Sequence, residues 1–294
     1  MNQMITNVKK SNLDQNVVMD FGSEWSRFDQ ASLSDADRTE IFWNYFHIFP
    51  WDQLPQSSIG ADIGCGSGRW ASLAVRRVGH IHLVDPSSDA LAVARRNLSN
   101  VQNVSFHHAS VDNLPFEEGS LDFAYSLGVL HHVPDTASAI SSIAHALKPG
   151  APFLVYLYYT LNHRPWWYRA IWRASDVLRK IISRMPVHMK NFVCECIALL
   201  IYFPLARAAL LLGRLGILPG SWPLAYYRNC GYYVLRTDAL DRFGTRIEKR
   251  FTSKEIETML RSCGFTDIRF SDKQPFWCAV GFKQTYKDTN SCVV

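Results

Sequence analysis

The eight residues Asp62-Ile63-Gly64-Cys65-Gly66-Ser67-Gly68-Arg69 decide the fold of this chain. They end an apolar stretch at 58–64 that predicts a strand, and they open a helical pattern at 69–77. Glycine at three alternate positions lets the backbone turn sharply and lets a ligand approach the N-terminus of the following helix. A dinucleotide loop would need glycine where Arg69 stands, and a Walker loop would need a Gly-Lys-Ser/Thr ending, so NAD and ATP both fit this loop poorly. The sequence of the loop leaves two alternatives, another ligand or an ordinary strand-to-helix turn.

Strands and helices alternate along the chain outward from this loop. Short apolar stretches predict seven strands, at 58–64, 80–85, 104–108, 121–127, 152–158, 266–271 and 276–282. Apolar residues at helical spacing predict helices at 69–77, 88–98, 136–147 and 253–263, with Asp135 as the N-cap of the third. Strands and helices in such a series predict an α/β fold with a doubly wound parallel sheet covered on both faces.

Acidic residues follow two of these strands, beside the glycine loop. Asp85 ends the second strand, where a ribose diol would reach it, because the carboxyl ends of neighbouring parallel strands meet at one crevice. Asp112 follows the third strand and could accept a hydrogen bond from an adenine amine, while Val111 packs against the ring. The fourth strand brings Leu127-Gly128 and then the pair His131-His132 to the same edge.

In this order and spacing, the four blocks resemble the class I S-adenosylmethionine-dependent methyltransferases, most closely the branch with the ubiquinone and menaquinone C-methyltransferases. The resemblance implies a Rossmann-like sheet of seven strands, mostly parallel with the last one antiparallel, and S-adenosyl-L-methionine as cofactor. It implies that the cofactor is held by Asp62, Gly64, Cys65, Gly66, Gly68, Asp85, Pro86, Val111, Asp112, Leu127 and Gly128.

The block Phe21-Gly22-Ser23-Glu24-Trp25-Ser26-Arg27-Phe28 is similar to the helical cap that related enzymes fold over the cofactor. By that resemblance Trp25 would cover the methionine part and Arg27 would meet its carboxylate. The alternative stays open that Phe21, Trp25 and Phe28, at positions i, i+4 and i+7, are only the core face of a helix.

Methyl transfer from a sulfonium is an in-line displacement, so the protein mainly aligns the nucleophile and excludes water. A hydroxyl or an acidic carbon also needs a base, and His131, His132 and Tyr158 are the candidates at the crevice edge, with Tyr159 as a neighbour of the last. The alternative is that the histidine pair caps a strand or packs against a lid. No His, Cys or Asp spacing indicates a metal site.

Residues 160–250 form an insertion that we interpret as a helical substrate lid, between a cofactor-binding core at 58–159 and a completion of the sheet at 251–294. Residues 1–57 are the predicted helical cap. Between Leu161 and Arg236 eleven Arg or Lys residues stand against two acids. The first lid helix is amphipathic, with an apolar stripe of Trp167, Ile171, Ala174, Leu178, Ile181 and Met185. Within the apolar run at 192–218 the longest uncharged stretch, 196–206, has eleven residues, and a bilayer needs about 20, so no membrane span is predicted.

Two interpretations of the lid remain open and are compatible. It is either packed internally, with Trp166, Trp167, Trp222, Tyr226, Tyr227, Tyr232 and Tyr233 lining an apolar pocket, or its basic helices lie on an anionic membrane and collect a lipid-linked substrate.

The composition limits the class of protein. A chain of 294 residues that is 48% apolar and 19% charged is neither disordered nor a disulfide-stapled mini-protein. Seven cysteines without a CxxC pair, and an N-terminus without an apolar run, predict a cytoplasmic protein, at most peripheral at the inner face of a membrane.

The predicted function is methyl transfer to an oxygen or carbon of a small or lipid-linked molecule. The alternatives are a non-catalytic adaptor that docks on a membrane or an acidic partner, and an RNA methyltransferase. Apolar and aromatic residues in the basic segment disfavour RNA, and no DNA partner is predicted.

Overall fold

The computed structural model describes residues 11–29, 35–162, 164–273, 275 and 277–285. The strands in chain order are β1 (Ile59–Ile63), β2 (His80–Asp85), β3 (Val104–His108), β4 (Phe123–Leu127), β5 (Pro152–Tyr156), β6 (Phe265–Phe270) and β7 (Cys278–Lys283). Each overlaps a predicted strand, and β2 and β3 have the predicted bounds. Phe276, where the last strand was predicted to begin, lies outside the described residues.

The seven strands form one sheet in the order β3-β2-β1-β4-β5-β7-β6. β1 to β5 are parallel, and β7 runs antiparallel between β5 and β6. Ile63 at the end of β1 lies opposite Val84 of β2, so the glycine loop and Asp85 emerge side by side. The doubly wound, mostly parallel sheet with one antiparallel strand is therefore confirmed.

The helices cover both faces of the sheet and build the insertion. In chain order they are α1 (Gln15–Arg27), α2 (Asp35–Phe46), α3 (Ala71–Ala74), α4 (Ser88–Asn97), α5 (Thr136–Ala146), α6 (Trp166–Ile182), α7 (Val187–Ile197), α8 (Phe203–Arg214), α9 (Tyr232–Gly244) and α10 (Ser253–Ser262). Asp135 caps α5 as predicted, because its carboxylate accepts from the Ser138 amide at 3.0 Å.

The helix predicted at 69–77 is wrong in length, since only Ala71–Ala74 is α-helical. The chain continues in tighter turns, with the Arg77 amide donating to the Ala74 carbonyl. At Gly79 it passes so close to Ser57 that a Cβ would lie 2.8 Å from backbone atoms. This tight return to β2 leaves no room for further α-helical turns.

Three hydrophobic cores hold the molecule together. One, around Phe46 and Tyr125, lies between the sheet and α2. Another, around Ile140 and Phe153, lies between the sheet, α5 and α10. The insertion has a core of its own, built from Cys194, Ala198, Tyr202, Ala206, Leu235, Ala239 and Phe243, to which Phe28 at the end of α1 is added. The N-terminal helix is therefore packed against the lid as well as against the sheet domain.

The predicted apolar stripe of α6 does not become a buried core face. Ile171, Leu178 and Ile181 are each more than half exposed, whereas Arg179 on another side of the helix is buried. Arg179 is buried because it bonds to Asp176 at 2.8 Å and donates to the Thr245 carbonyl. An amphipathic pattern indicates two faces but not which of them packs inward.

A single continuous helix runs over Val187–Arg214, through α7, a π-helical turn at Ala198–Tyr202, and α8. Within the described parts of the chain it is the one helix long and apolar enough to cross a membrane, by length and composition only, with a mean hydropathy of 2.0. Only 22% of its most apolar window is buried inside the protein. It is thus not the core helix that an apolar sequence of this length usually forms.

Candidate functional site

The glycine loop follows β1 and is held open by backbone conformations that favour glycine. Gly64, Gly66 and Gly68 have φ values of +77°, +53° and +75°. The amides of Gly64 and Cys65 donate to the Val84 carbonyl, which ties the loop to the end of β2. At Gly68 a Cβ would lie 3.0 Å from Leu98, so this glycine allows the loop to pack against the end of α4. Gly64 and Cys65 of the loop thus lie at the sheet edge, whereas Gly68 packs inward against α4.

Asp85 stands at the centre of this edge, with its carboxylate fixed on both oxygens. Oδ2 accepts from the Gly66 amide and Oδ1 from the Ser87 amide, each at 2.9 Å. Burial raises the pKa of Asp85 to about 6, although the two amide hydrogen bonds favour the ionised form. The remaining lone pairs of this carboxylate are available to ligand hydroxyls, since each oxygen accepts more than one hydrogen bond.

Trp25 on α1 lies directly over the loop. A Cβ on Gly66 would lie 2.7 Å from the Trp25 ring, so the absence of a side chain there permits this contact. α1 also approaches the start of α4, where a Cβ on Gly22 would lie 2.6 Å from the Ser87 hydroxyl. Two glycines therefore allow α1 to pack closely on the sheet domain, Gly66 at the loop and Gly22 facing the start of α4.

Arg27 is placed elsewhere than the sequence suggested. Its guanidinium binds Glu195 of α7 at 3.0 Å and does not line the cavity described below. The reason is helical spacing, which puts Arg27 on the lid side of α1, two residues beyond Trp25. Arg69, directly after the loop, faces the cavity instead, with its guanidinium 4.2 Å from the centre of the Trp70 ring.

A cavity of about 980 Å³ extends from the glycine loop into the insertion. Its loop end is lined by Gly64, Cys65, Arg69, Asp85, Pro86, Leu127 and Gly128. Its lid end is mostly apolar and is lined by Ile171, Leu178, Ile201, Leu205, Trp222 and Leu224. Gly128, with a φ of +80°, leaves open space where a Cβ would stand. The volume is in the range of cofactor and substrate cavities, which reach roughly 1,000 Å³.

Six of the residues expected at the cofactor lie outside the lining of this cavity, namely Arg27, Asp62, Gly66, Gly68, Val111 and Asp112. Asp62 is buried beneath the loop, where burial raises its pKa and the Tyr125 hydroxyl interacts with it. Val111 is packed in the core. Asp112 accepts from the Asn12 amide at 3.1 Å and from the Ser110 hydroxyl, so one of its oxygens is bonded to the N-terminal segment. The adenine role of Val111 and Asp112 stays a prediction.

The three candidate catalytic side chains lie together at the ends of β4 and β5. The rings of His131 and Tyr158 stack with centroids 3.8 Å apart, and the rings of His131 and His132 are 4.0 Å apart. His132 and Tyr158 line the cavity, whereas His131 is fully buried outside the lining. Tyr158 donates its hydroxyl hydrogen to Asp241 of α9.

The tautomer of His132 follows from its neighbour. Nδ1 lies 2.5 Å from the Ile247 carbonyl oxygen. Because a carbonyl only accepts, Nδ1 carries the proton, and the lone pair of the neutral ring is on Nε2. Burial lowers the pKa of His132, partly opposed by the nearby Asp241 carboxylate, so the ring is neutral near pH 7. Nε2 has no hydrogen-bond partner within the described residues.

Four further residues of the site are not among those predicted from the sequence. They are Glu24, Arg69, Asp238 and Asp241, all of which line the cavity. Asp238 and Asp241 belong to a lid helix that joins the sheet domain only through the tertiary fold, so no local motif marks them. For Arg69 the signal was its place directly after the loop. Among the residues that the structure describes, no group of His, Cys, Asp and Glu is arranged to hold a metal ion.

Comparisons with known proteins show similarity to methyltransferases. Residues 61–180 match a family model described as "Methyltransferase domain". Over 100 residues the chain is 36% identical to phosphoethanolamine N-methyltransferase 2 of Caenorhabditis elegans, a match that covers 33% of this chain and 23% of that protein. Over 91 residues it is 36% identical to a ubiquinone biosynthesis O-methyltransferase of Aromatoleum aromaticum, covering 30% of this chain and 39% of that protein. The chain thus spans less than half the length of either relative.

A solved structure has a similar fold over most of this chain. It is a chain in the complex between the Haloferax volcanii Trm112 methyltransferase activator and a methyltransferase, with a TM-score of 0.50 at 15% identity. The match covers 90% of this chain and 98% of that one. At this identity the likeness shows the fold alone.

Proposed function

We propose that the chain moves a methyl group to an oxygen or carbon of a small or lipid-linked molecule. The premise is that residues 61–180 are a domain of the class I S-adenosylmethionine-dependent methyltransferases. The observation that carries the proposal is the single cavity that joins the glycine loop to the apolar interior of the lid. A cofactor at the loop and an acceptor under the lid would share it, as an in-line transfer requires.

The residues present fit S-adenosylmethionine. Asp85 would accept from the ribose hydroxyls, Trp25 would cover the methionine part, and the guanidinium of Arg69 would meet its carboxylate. When bound, the cofactor supplies a methyl group on a positively charged sulfur. Gly128 leaves the open space through which an acceptor would approach that end.

His132 is the base that the geometry favours over His131. Its Nε2 carries the lone pair, and the bond from Nδ1 to Ile247 fixes the orientation of the ring. Nε2 would take the proton of an acceptor hydroxyl. Tyr158 and Asp241 would position the acceptor beside it.

We also propose that the lid lies on the inner, anionic face of a membrane, where a lipid-linked acceptor would enter. Large apolar side chains on α6 and on the Val187–Arg214 helix are exposed and do not line the cavity, and we name them the apolar lid face: Trp166, Val177, Ile181, Met189, Phe192, Leu199, Leu200 and Leu211. Exposed cations accompany them at Arg169, Arg173, Lys180, Arg184 and Arg214. Binding to an anionic bilayer requires exposed apolar residues that are flanked by basic residues.

The first experiment is calorimetric titration of the purified chain with S-adenosylmethionine and, separately, with NAD. We expect binding of the former alone. If the chain binds neither S-adenosylmethionine nor NAD, the proposal is contradicted and the alternative of a non-catalytic adaptor is favoured. Acceptors are then screened among lipid-like phenols and alcohols, with transfer of a labelled methyl group as the readout.

Vesicle sedimentation tests the membrane contact. We expect the chain to sediment with vesicles that contain phosphatidylserine and not with pure phosphatidylcholine. The double variant F192S/L200S should lose this binding, whereas M19S, which changes an equally exposed apolar residue on α1, should keep it. Equal sedimentation of the two variants would contradict the proposal.

A further inference from the structure

Tyrosine side chains from three parts of the chain line the same cavity as one carboxyl group. The carboxyl is that of Asp238 on α9, and the tyrosines are Tyr45 of α2, Tyr202 of the π-helical turn, and Tyr226 and Tyr227 of the short helix at Ala225–Asn229. We name these five residues the tyrosine cage. The rings of Tyr202 and Tyr227 are 5.9 Å apart, and those of Tyr226 and Tyr227 are 5.2 Å apart and nearly perpendicular.

The negative charge of Asp238 contributes to a raised pKa in each of the four tyrosines. Burial and then the Asp238 carboxylate raise the pKa of Tyr227, whose hydroxyl also interacts with that carboxylate. The same two causes raise the pKa of Tyr226 to about 12. Burial also raises the pKa of Asp238 itself, to about 6. No cation is paired with this carboxylate by an ion pair among the described residues.

Three neighbouring acidic side chains, Glu24, Asp238 and Asp241, line this part of the cavity. Burial raises the pKa of Glu24 most, and the charges of the two aspartates raise it further. Glu24 is only 6% exposed, and Arg69 and Lys190 oppose the rise of its pKa. Arg69 is the one cation that opposes the raised pKa of all three carboxyls.

Two of the other arginines that line the cavity are already paired. Arg242 and Arg250 both bind Glu248, each at 2.9 Å. If Arg69 meets the carboxylate of the cofactor, as proposed above, the acidic side chains lose their shared counter-charge. Buried carboxylates without a cation are costly, and a ligand that brings a positive charge would offset that cost.

We infer that the tyrosine cage is a binding site for an ammonium group carried by the methyl acceptor. A carboxylate supplies the counter-charge, and aromatic rings attract cations, most strongly where water is excluded. The inference rests on the proposed function, because it assigns the cage to the acceptor. It narrows the acceptor from any small or lipid-linked molecule to one with an amine substituent.

The test uses the chain saturated with S-adenosylhomocysteine, whose sulfur is uncharged, and choline as the probe of the cage. The control probe is 3,3-dimethyl-1-butanol, the uncharged isostere of choline. We expect choline to bind and the isostere not to bind, as measured by calorimetry. Asp238→Asn should weaken choline binding by about tenfold or more, and Tyr226→Leu should weaken it as well.

The matched control is Asp272→Asn, which removes the same charge at an exposed position between β6 and β7 and should leave choline binding unchanged. Equal binding of choline and its isostere, or unchanged choline binding in Asp238→Asn, would overturn the inference. So would an equal loss of S-adenosylhomocysteine affinity in that variant, because the carboxyl would then serve the cofactor. Failure of the proposed function has a different signature, since the unaltered chain would not bind S-adenosylhomocysteine at all.

Discussion

Asp85 combines a structural and a ligand-binding task on one carboxylate. It orients the loop through the Gly66 amide and would hold the ribose with its free lone pairs. We expect Asp85→Asn to weaken S-adenosylmethionine binding roughly 10- to 100-fold, because hydrogen bonds to a charged group are worth about 1.5–3 kcal/mol. Calorimetry measures this, with Asp89→Asn on the first turn of α4 as the control. Equal affinity of the two variants would remove Asp85 from the ribose site.

The pKa of Asp85 predicts how cofactor binding depends on pH. Burial raises this pKa to about 6, so the free protein holds the proton below that pH. Since the ionised carboxylate is the better acceptor, affinity should be level above pH 6 and should fall up to about tenfold per unit below it. Asp85→Asn should abolish this slope between pH 5 and 6. The same slope in the variant would assign the titration to another group.

His132 and His131 are neighbours that should respond differently to substitution. His132→Gln should lower kcat by about 10²- to 10⁴-fold with little change in KM, because it removes the lone pair on Nε2. His131→Asn should act mainly on stability, since His131 is fully buried and stacked on Tyr158. Both are measured as kcat and KM beside a thermal melt. A larger loss of kcat in His131→Asn would reverse the assignment.

The sequence predicted the positions of Asp85 and of the loop because both follow directly from a strand end. It did not predict that Arg27 bonds to Glu195 or that Asp112 bonds to Asn12, because those partners are 168 and 100 residues away along the chain. Strand ends are local information, whereas the partner of a long charged side chain depends on the packed fold.

Among the elements, α7 shows that a charged residue in an apolar helix need not be exposed to solvent. Lys190 interrupts the apolar pattern, yet it is buried and binds Asp20 of α1 at 2.5 Å. We expect Lys190→Ala to lower the free energy of unfolding by about 3 kcal/mol or more, because it leaves a partly buried carboxylate without its main partner.

The control for this prediction is Lys180→Ala on α6. Lys180 is exposed and pairs with Asp176 at 3.2 Å, so its loss should cost less than about 1 kcal/mol. Urea denaturation measures both variants. Equal destabilisation would mean that the contact between α1 and α7 is not specifically stabilising.

The sheet elements were predicted better than the lid elements. Buried parallel strands are short apolar stretches whatever they pack against, so their bounds follow from the sequence. The faces of α6 depend instead on what lies beside them, and the apolar stripe is exposed while Arg179 is buried. The antiparallel placement of β7 came from the family resemblance and not from periodicity.

At the scale of the whole molecule, α1 connects the cofactor loop to the lid. Trp25 lies on Gly66, Asp20 binds Lys190, and Phe28 is packed in the core of the insertion. A ligand that stabilises the loop should therefore stabilise the lid as well. This linkage is a property of long-range packing, and no motif in the sequence indicates it.

Hydrogen exchange should reveal the linkage directly. With S-adenosylhomocysteine at about 100 times its Kd, mass action adds up to about 2.7 kcal/mol to openings that release the ligand. We therefore expect slower exchange in α1, α7 and α9 as well as in β1. In Trp25→Ala the protection of β1 should remain while that of α7 and α9 falls, because the variant removes the contact between the cap helix and the loop. If the ligand does not slow hydrogen exchange in the lid of the unaltered chain, the lid opens independently of the cofactor site. In that case α1 stabilises the fold but does not couple the two sites.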